Sequence, residues 1–553
     1  MKIVHISSFD FGEAGVSAHR LHRSLIDYGV DSSFLVIQKT KNDPTIKEIS
    51  TNFKDQTFNY RPDFTDFEKL NVRWYLLYNN KLGKKNNLAF FTDEMAIAVL
   101  ENNPEIKEAD VIHLHWITGM LDLSLIPKLF KNKKIIWTLY DMNPFTGGCH
   151  FSNNCEKFNS ECGACPQIGS DIFEDISNKL WKYKSAIYQS TSLKIVATNS
   201  LIGENILASK LLSGHFSGVI NQSVQTDIYK PYPRVVTRGE LNIPEDVFVI
   251  LFTDINSLLK NNKLDDFTRY LKTILMKKNI YLITMGTGIK DLELLSGFKT
   301  INYGEIVNEN DRAKIYSSSD VLVLLSDDYF LPNNAIESIS CGTPVISFER
   351  PGINTIIENS KTGFIVKQND FEQLAGEIKK IILFDKNEEM EDFCREKAIK
   401  EFDINIQTKN YLESLYEYNF PEENDFYSFI IDKFKHKNYQ PVITKVESLI
   451  CDGKETYENY LLLAYSLEKT GDFENAEKFY QKCNSFKLSE TKTAGEVAIT
   501  QDSILKDLPG NFLEIDSPIS FNFIKTEPLP KISIVTPSFN TDKYVANIII
   551  IIS

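Results

Sequence analysis

Residues 110–167 read DVIHLHWITGMLDLSLIPKLFKNKKIIWTLYDMNPFTGGCHFSNNCEKFNSECGACPQ, and they decide the fold class. Two short β-branched runs, Val111–His115 and Lys134–Leu139, each end in a polar loop, with a helical stretch between them. That order predicts a parallel pair joined by a crossover, part of an open α/β sheet covered on both faces. Ligands of such sheets sit outside the carboxyl ends of the strands, so His113, His115, Tyr140 and Asp141 are expected where chemistry occurs. Four cysteines, Cys149, Cys155, Cys162 and Cys165, follow within a short span and suggest a small lobe beside that position.

Outward from this stretch the same alternation continues. Toward either side lie KIVHISS, SSFLVI, KIVATNS and SGVINQ, which define a first α/β domain over residues 1–225. A second set, VFVILFTD, IYLITMGTG, TINYGE, DVLVLLSD, TPVISFE and GFIVK, predicts another sheet within residues 226–410, closed by a terminal helix. Two successive sheets leave a cleft between them, the usual place for a small-molecule site.

The rest of the chain is of other kinds. In ENYLLLAYSLEKTGDFENAEKFYQKC, residues Tyr460, Leu463, Ala464, Gly471, Ala476 and Tyr480 have the spacing of a tetratricopeptide-like repeat, placed at 424–490. Such a repeat is a surface for a protein partner, and a plain helical hairpin is the alternative reading. A linker is expected over 491–529. Residues 530–553 open with a strand and turn, LPKISIVTPSFN, resembling the start of a family 2 glycosyltransferase domain cut short.

Composition narrows the partners. The chain of 553 residues is 42% hydrophobic and 25% charged, ordinary for globular domains, and three or four domains of about 150 residues are expected. Its formal net charge of −14 argues against a nucleic-acid backbone as ligand. MKIVHISSF reads as a strand rather than a leader, and no run approaches the ~20 apolar residues of a membrane span. A cytoplasmic location is expected, with peripheral membrane contact as an option. Cys341, Cys394, Cys451 and Cys483 are scattered, which speaks against a secreted disulfide framework.

Several strings in residues 1–385 are long and occur in a fixed order: HRLH (19–22), VIHLHW (111–116), TLYDMNPFTGGCH (138–150), CGACPQ (162–167), IYSSSDVLVLLS, PNNAIESISCGTPVISF and KTGFIVKQND. They resemble glycosyltransferase family 4, in a bacterial subgroup carrying the TL(H)DMxPFTGGCH and CGxCPQ motifs. The resemblance implies the GT-B fold, two facing Rossmann-like domains, and a retaining transfer from a nucleotide-diphosphate sugar to a glycan or lipid-linked acceptor. It implies no catalytic metal, and the leaving phosphate is expected to help deprotonate the acceptor.

Site residues follow from the same resemblance. Lys263, with Lys260 nearby, stands where the family binds the diphosphate, although Leu264 replaces the family's glycine. Asn333, Asn334 and Glu337 open the helix that faces the donor, and Glu337 matches the glutamate that holds the ribose. Asn334 followed by Glu337 is also a capping-box pattern. Asp328 stands one residue out of register for the family's first glutamate, whose spacing falls on Tyr329. Gly286 ends a strand of the second domain at the donor side.

Tyr140 takes the place of the family's histidine next to Asp141, and a phenol is a poor acid or base near neutrality. QSVQ (222–225) replaces an Asn-Gly-x-Asp loop. Tyr140, Asp141 and His115 are the expected catalytic set. Gly12 and Gly15, after the first strand, suit an acceptor or phosphate loop. The four clustered cysteines are candidates for a structural zinc, with two disulfides or packed reduced thiols as alternatives.

Overall fold

The computed structural model describes residues 1–79, 91–253, 264–274, 279–286, 298–325, 333–350, 352–383, 388–418, 439–451 and 457–490. Lys260, Lys263, Asp328, Tyr329, the 491–529 linker and the 530–553 segment lie outside the described residues. The chain divides into two compact units, 1–419 and 420–553.

Among the described residues, unit one holds two parallel sheets. The first contains β1 (Lys2–Ile6), β2 (Asp31–Val36), β3 (Ile46–Glu48), β4 (Val111–Leu114), β5 (Lys134–Leu139), β6 (Lys194–Ala197) and β7 (Phe216–Val219). Its order is β3-β2-β1-β4-β5-β6-β7. The second contains β8 (Phe248–Phe252), β9 (Ile280–Thr284), β10 (Lys299–Asn302), β11 (Val321–Leu324), β12 (Val345–Phe348) and β13 (Gly363–Val366), in the order β10-β9-β8-β11-β12-β13. Each sheet reverses direction beside its first strand, at β1/β4 and at β8/β11. That reversal opens a crevice at the carboxyl ends.

Central strands are buried throughout, as sheets covered on both faces require. Gly363 in β13 shows how close the backbones run: at φ +145°, a Cβ there would lie 1.8 Å from the carbonyl oxygen of Val345. Helix α1 (Gly12–Asp27) buries Ala14, Ala18, Leu21 and Leu25, spaced at three and four residues along one face.

The chain does not end its first unit in the second sheet's domain. Helix Ile404–Asn410, capped by Asp403, packs on α1, with Thr408 Oγ1 2.7 Å from Ser24 Oγ. The next turn brings Tyr411 and Tyr416 under β4 and β5, and Lys134 Nζ donates to the Tyr416 carbonyl at 3.0 Å. The segment expected to finish the second domain therefore closes the first.

Unit two contains helices Gln440–Cys451, Tyr457–Thr470 and Phe473–Glu490. Leu463, Leu467 and Ala476 pack with Val442 and Val446. Gly471, at φ +87°, turns the last two helices against each other. Among the described residues no helix is long and apolar enough to cross a membrane.

Candidate active site

Register explains the first cluster. His5 on β1 is paired with His113 on β4. His115, two residues on, falls on the same face. All three imidazoles are buried, and their nitrogens come within 4.8 Å of one another. His5 Nδ1 lies 2.9 Å from His115 Nε2, and His115 Nδ1 lies 3.1 Å from the Tyr140 hydroxyl. His113 pairs with Tyr416 at 2.6 Å and Thr138 at 2.8 Å. Burial, with the neighbouring histidines, pushes His115 down to about 3 and His5 and His113 well below the ordinary histidine value.

Both expected histidines are interior groups, and His115, which lines the pocket described below, bonds the Tyr140 hydroxyl. Burial also raises the Tyr140 phenol well above its usual value, so it serves as a hydrogen-bonding group.

The opposite parity carries Trp116 and Asp141. Asp141 Oδ2 accepts from Trp116 Nε1 at 2.8 Å and from His150 Nδ1 at 2.6 Å, and Oδ1 accepts from the Asn143 amide at 2.9 Å. Although burial works against its charge, His150 and these donors hold its carboxyl below the ordinary aspartate range. His150 Nε2 lies 3.1 Å from Thr92 Oγ1, which also accepts from Asn143 Nδ2 at 3.0 Å.

The loop that brings His150 home depends on Gly148. At φ +128°, a Cβ there would sit 2.5 Å from the Phe91 ring. Lys184, buried on helix Ile176–Gln189, donates to the carbonyls of Asn143 and Thr146 at 2.5 and 3.1 Å. Burial pushes its ammonium down to about 8. A pocket beyond the ends of β4 and β5 is lined by Thr92, His115, Trp116, Tyr140, Asp141 and Lys184. Sequence reading placed Tyr140 and Asp141 here, but it missed Thr92 and the part played by His150. The available signal was the histidine closing the TGGCH string.

A second cluster joins the two sheets' domains. Glu337, fully buried on helix Asn333–Ser340, accepts from Arg20 of α1 at 2.6 Å, from Arg312 at 2.5 Å and from the Tyr316 hydroxyl at 3.0 Å. Burial disfavours its charge, yet the two guanidinium groups hold its carboxyl below the usual range. The Asn333 amide donates to Glu13 of α1 at 2.8 Å. Asn334 lies inside the helix and accepts from Arg312 and Tyr316 at 3.3 Å each, so the expected capping box is not formed.

Gly12, at φ +69°, starts α1. Gly15 is a glycine for internal packing, since a Cβ would lie 2.6 Å from the Phe9 carbonyl. Gly286 ends the β9 segment at φ +131°, with its amide donating to Gly304 at 2.7 Å. It belongs to neither cluster.

The four cysteines are unpaired thiols lining one small pocket. A closed zinc tetrahedron with bonds of about 2.3 Å needs sulfurs within roughly 4 Å of each other. Among the described residues, the set of metal-capable groups meeting a 4.8 Å mutual spacing is the histidine trio, and no cysteine belongs to it. The thiols pack the lobe around Cys149 and Cys162, where Gly147 donates its amide to Cys162 Sγ at 3.2 Å.

Residues 236–401 match the family described as "Glycosyl transferases group 1". Over 381 residues the chain is 23% identical to a protein of Escherichia coli (strain K12) named as a colanic acid biosynthesis glycosyl transferase, WcaC, covering 66% of this chain and 86% of the relative. Over 203 residues it is 26% identical to the capsular polysaccharide biosynthesis glycosyltransferase CapM of Staphylococcus aureus, covering 36% and 51%. The chain spans 37% and 42% of two other curated relatives, an uncharacterized glycosyltransferase of Haemophilus influenzae and a D-inositol 3-phosphate glycosyltransferase of Thermobispora bispora.

Among solved structures, a glycosyltransferase from Rickettsia africae ESF-5 superposes with a TM-score of 0.51 at 17% identity, covering 75% of this chain and 98% of that one. Anabaena Alr3699/HepE in complex with UDP and glucose gives 0.50 at 13%, covering 75% and 99%. Residues 236–401 thus match the group 1 glycosyltransferase model, and the two Rossmann-like domains have the GT-B fold.

Proposed function

We propose that this chain is a retaining glycosyltransferase. It moves a sugar from a nucleotide-diphosphate donor to a glycan or lipid-linked acceptor in polysaccharide or glycoconjugate synthesis. The observation that carries the reading is the pocket around Tyr140 and Asp141 at the carboxyl edge of one sheet, in a chain whose second sheet belongs to a group 1 domain. The likeness to WcaC and CapM, named for colanic acid and capsular polysaccharide biosynthesis, supports polysaccharide as the acceptor class. Alr3699/HepE, solved in complex with UDP and glucose, supports a nucleotide diphosphate as ligand.

The chemistry asks for a stabilised leaving diphosphate and an acceptor held on the same face of the sugar. Lys263 and Lys260 supply positive charge, and the amide end of helix Asn333–Ser340 adds its dipole. Glu337 is assigned to the donor's ribose hydroxyls. Tyr140 and Asp141 hold the sugar on the first domain's side.

Calorimetry of the full chain with UDP, GDP and ADP is the direct test. One of them should bind, and Lys263→Ala should weaken it about tenfold or more, roughly the loss of a charged hydrogen bond. No binding by any of the three would remove the proposal.

A second reading, a non-catalytic scaffold that recruits partners through the helical repeat, draws on one observation: Glu337 is already occupied by Arg20 and Arg312. Transfer gained only in Tyr140→His would favour that reading.

A further inference from the structure

Four side chains of the charged types Asp, Glu and Lys line the pocket beyond β4 and β5, and three of them are committed inside the protein. Asp93 accepts from Trp74 Nε1 and the Tyr78 hydroxyl at 2.9 Å each, and it pairs with Arg73. Asp141 is taken by Trp116, His150 and the Asn143 amide. Lys184 turns its three donors to oxygens of Asn143 and Thr146. Glu94 is the fourth. It is exposed, and among the described residues its carboxylate has no hydrogen bond or ion pair.

Uncharged groups supply the rest of the open wall. Trp116 and Thr118 line it, and both are partly exposed. The empty space is about 600 Å³, solvent at its mouth included, which suits a sugar ring. Among the described lining residues, the one cation has spent its donors, so an incoming anion finds no positive partner there.

We infer that the open side of this pocket binds the acceptor's terminal sugar, and that this sugar is uncharged. The inference rests on the transferase reading above and names the acceptor class within it. Tyr140 and Asp141 are assigned there to the transferred sugar, and Glu94 stands on the exposed side, where an acceptor enters. The apolar flank of a pyranose ring covers the Trp116 indole, while its hydroxyls donate to the Glu94 carboxylate. A carboxylate or phosphate on that sugar would meet Glu94 as a like charge and lose water without gaining a cation. Uronic acids and phosphorylated sugars are thereby rejected at this position. Glu94 sets specificity and takes no part in bond making at the anomeric carbon.

The test uses the full chain saturated with whichever of UDP, GDP and ADP binds. Saturation-transfer NMR titrations compare methyl glucoside, galactoside and mannoside with the matching methyl uronides, which carry a carboxylate in place of the exocyclic CH2OH. At neutral pH at least one neutral glycoside should bind, and its uronide should bind about tenfold more weakly or worse. Glu94→Gln should weaken the neutral glycoside about tenfold, the scale of a lost charged hydrogen bond, and narrow the gap to its uronide to within about threefold. Glu94→Asp, which keeps the charge, should retain the gap. Nucleotide binding with no neutral glycoside bound, with a uronide bound equally well, or with a gap that Glu94→Gln leaves unchanged overturns the inference, and the transferase reading stands. Absence of nucleotide binding in the unaltered chain removes both.

Discussion

Arg20 and Glu337 lie 317 positions apart in sequence, yet their side chains meet at 2.6 Å inside a fully buried contact between the two sheets' domains. Arg20 also donates to the Ser223 carbonyl at 3.3 Å and to Glu309 at 3.1 Å, and it lies over the Tyr229 ring. Both side chains are buried, and each keeps a second ionic partner, Arg312 for Glu337 and Glu309 for Arg20. Removing one partner therefore costs the other a charged hydrogen bond, typically about 1.5–3 kcal/mol. Arg20→Met and Glu337→Gln should each destabilise unit one on that scale in urea unfolding, and the double variant should lose less than the sum of the two. Strictly additive losses would show that the pair is not coupled.

Glu13 sets a pH dependence. Burial raises its carboxyl, outweighing the Asn333 amide and the nearby arginines, and it reaches about 7. A folded value above the unfolded 4.5 means the protonated group stabilises the fold below about 4.5, and that contribution is lost as pH rises through about 7. Glu13→Gln is neutral at every pH. Its stability advantage over the unaltered chain should therefore grow between mildly acidic and mildly alkaline buffer. A constant difference across that window would contradict the assignment.

Gly148→Ala should disturb the loop of the candidate site. The new methyl overlaps the Phe91 ring and would lie 2.7 Å from the Thr92 carbonyl, at a backbone angle that side chains avoid. A loss of about 1–3 kcal/mol is expected, together with a changed environment at His150. Unchanged melting and unchanged His150 resonances would refute it.

Tyr140→Phe deletes the partner of His115 Nδ1 and leaves a buried polar nitrogen unsatisfied. About 1–3 kcal/mol should be lost. Tyr140→His restores a polar group and should recover part of that stability, which differential scanning calorimetry can compare. Equal melting of all three would place the phenol outside the network.

Much of this protein can be read from its primary structure. Alternating β-branched runs and helices require parallel sheets, and the polar ends of VIHLHW and KIIWTLY set Tyr140 and Asp141 at a carboxyl edge. Those features are local, since strand period and loop composition belong to a few neighbouring residues. The pairing of His5 with His113 could not be read, because it depends on strand register. Nor could the return of Tyr411 and Tyr416 beneath the first sheet, which depends on where a crossing helix lands.

The amino-acid order by itself determined the two-sheet architecture and the loop where Asp141 stands. Only the tertiary structure decided what Asp141, Glu337 and the histidines do, because burial sets their charge and partners from distant segments set their hydrogen bonds. Arg20 came to Glu337, and His150 with Thr92 came to Asp141, through packing that no short stretch of sequence encodes.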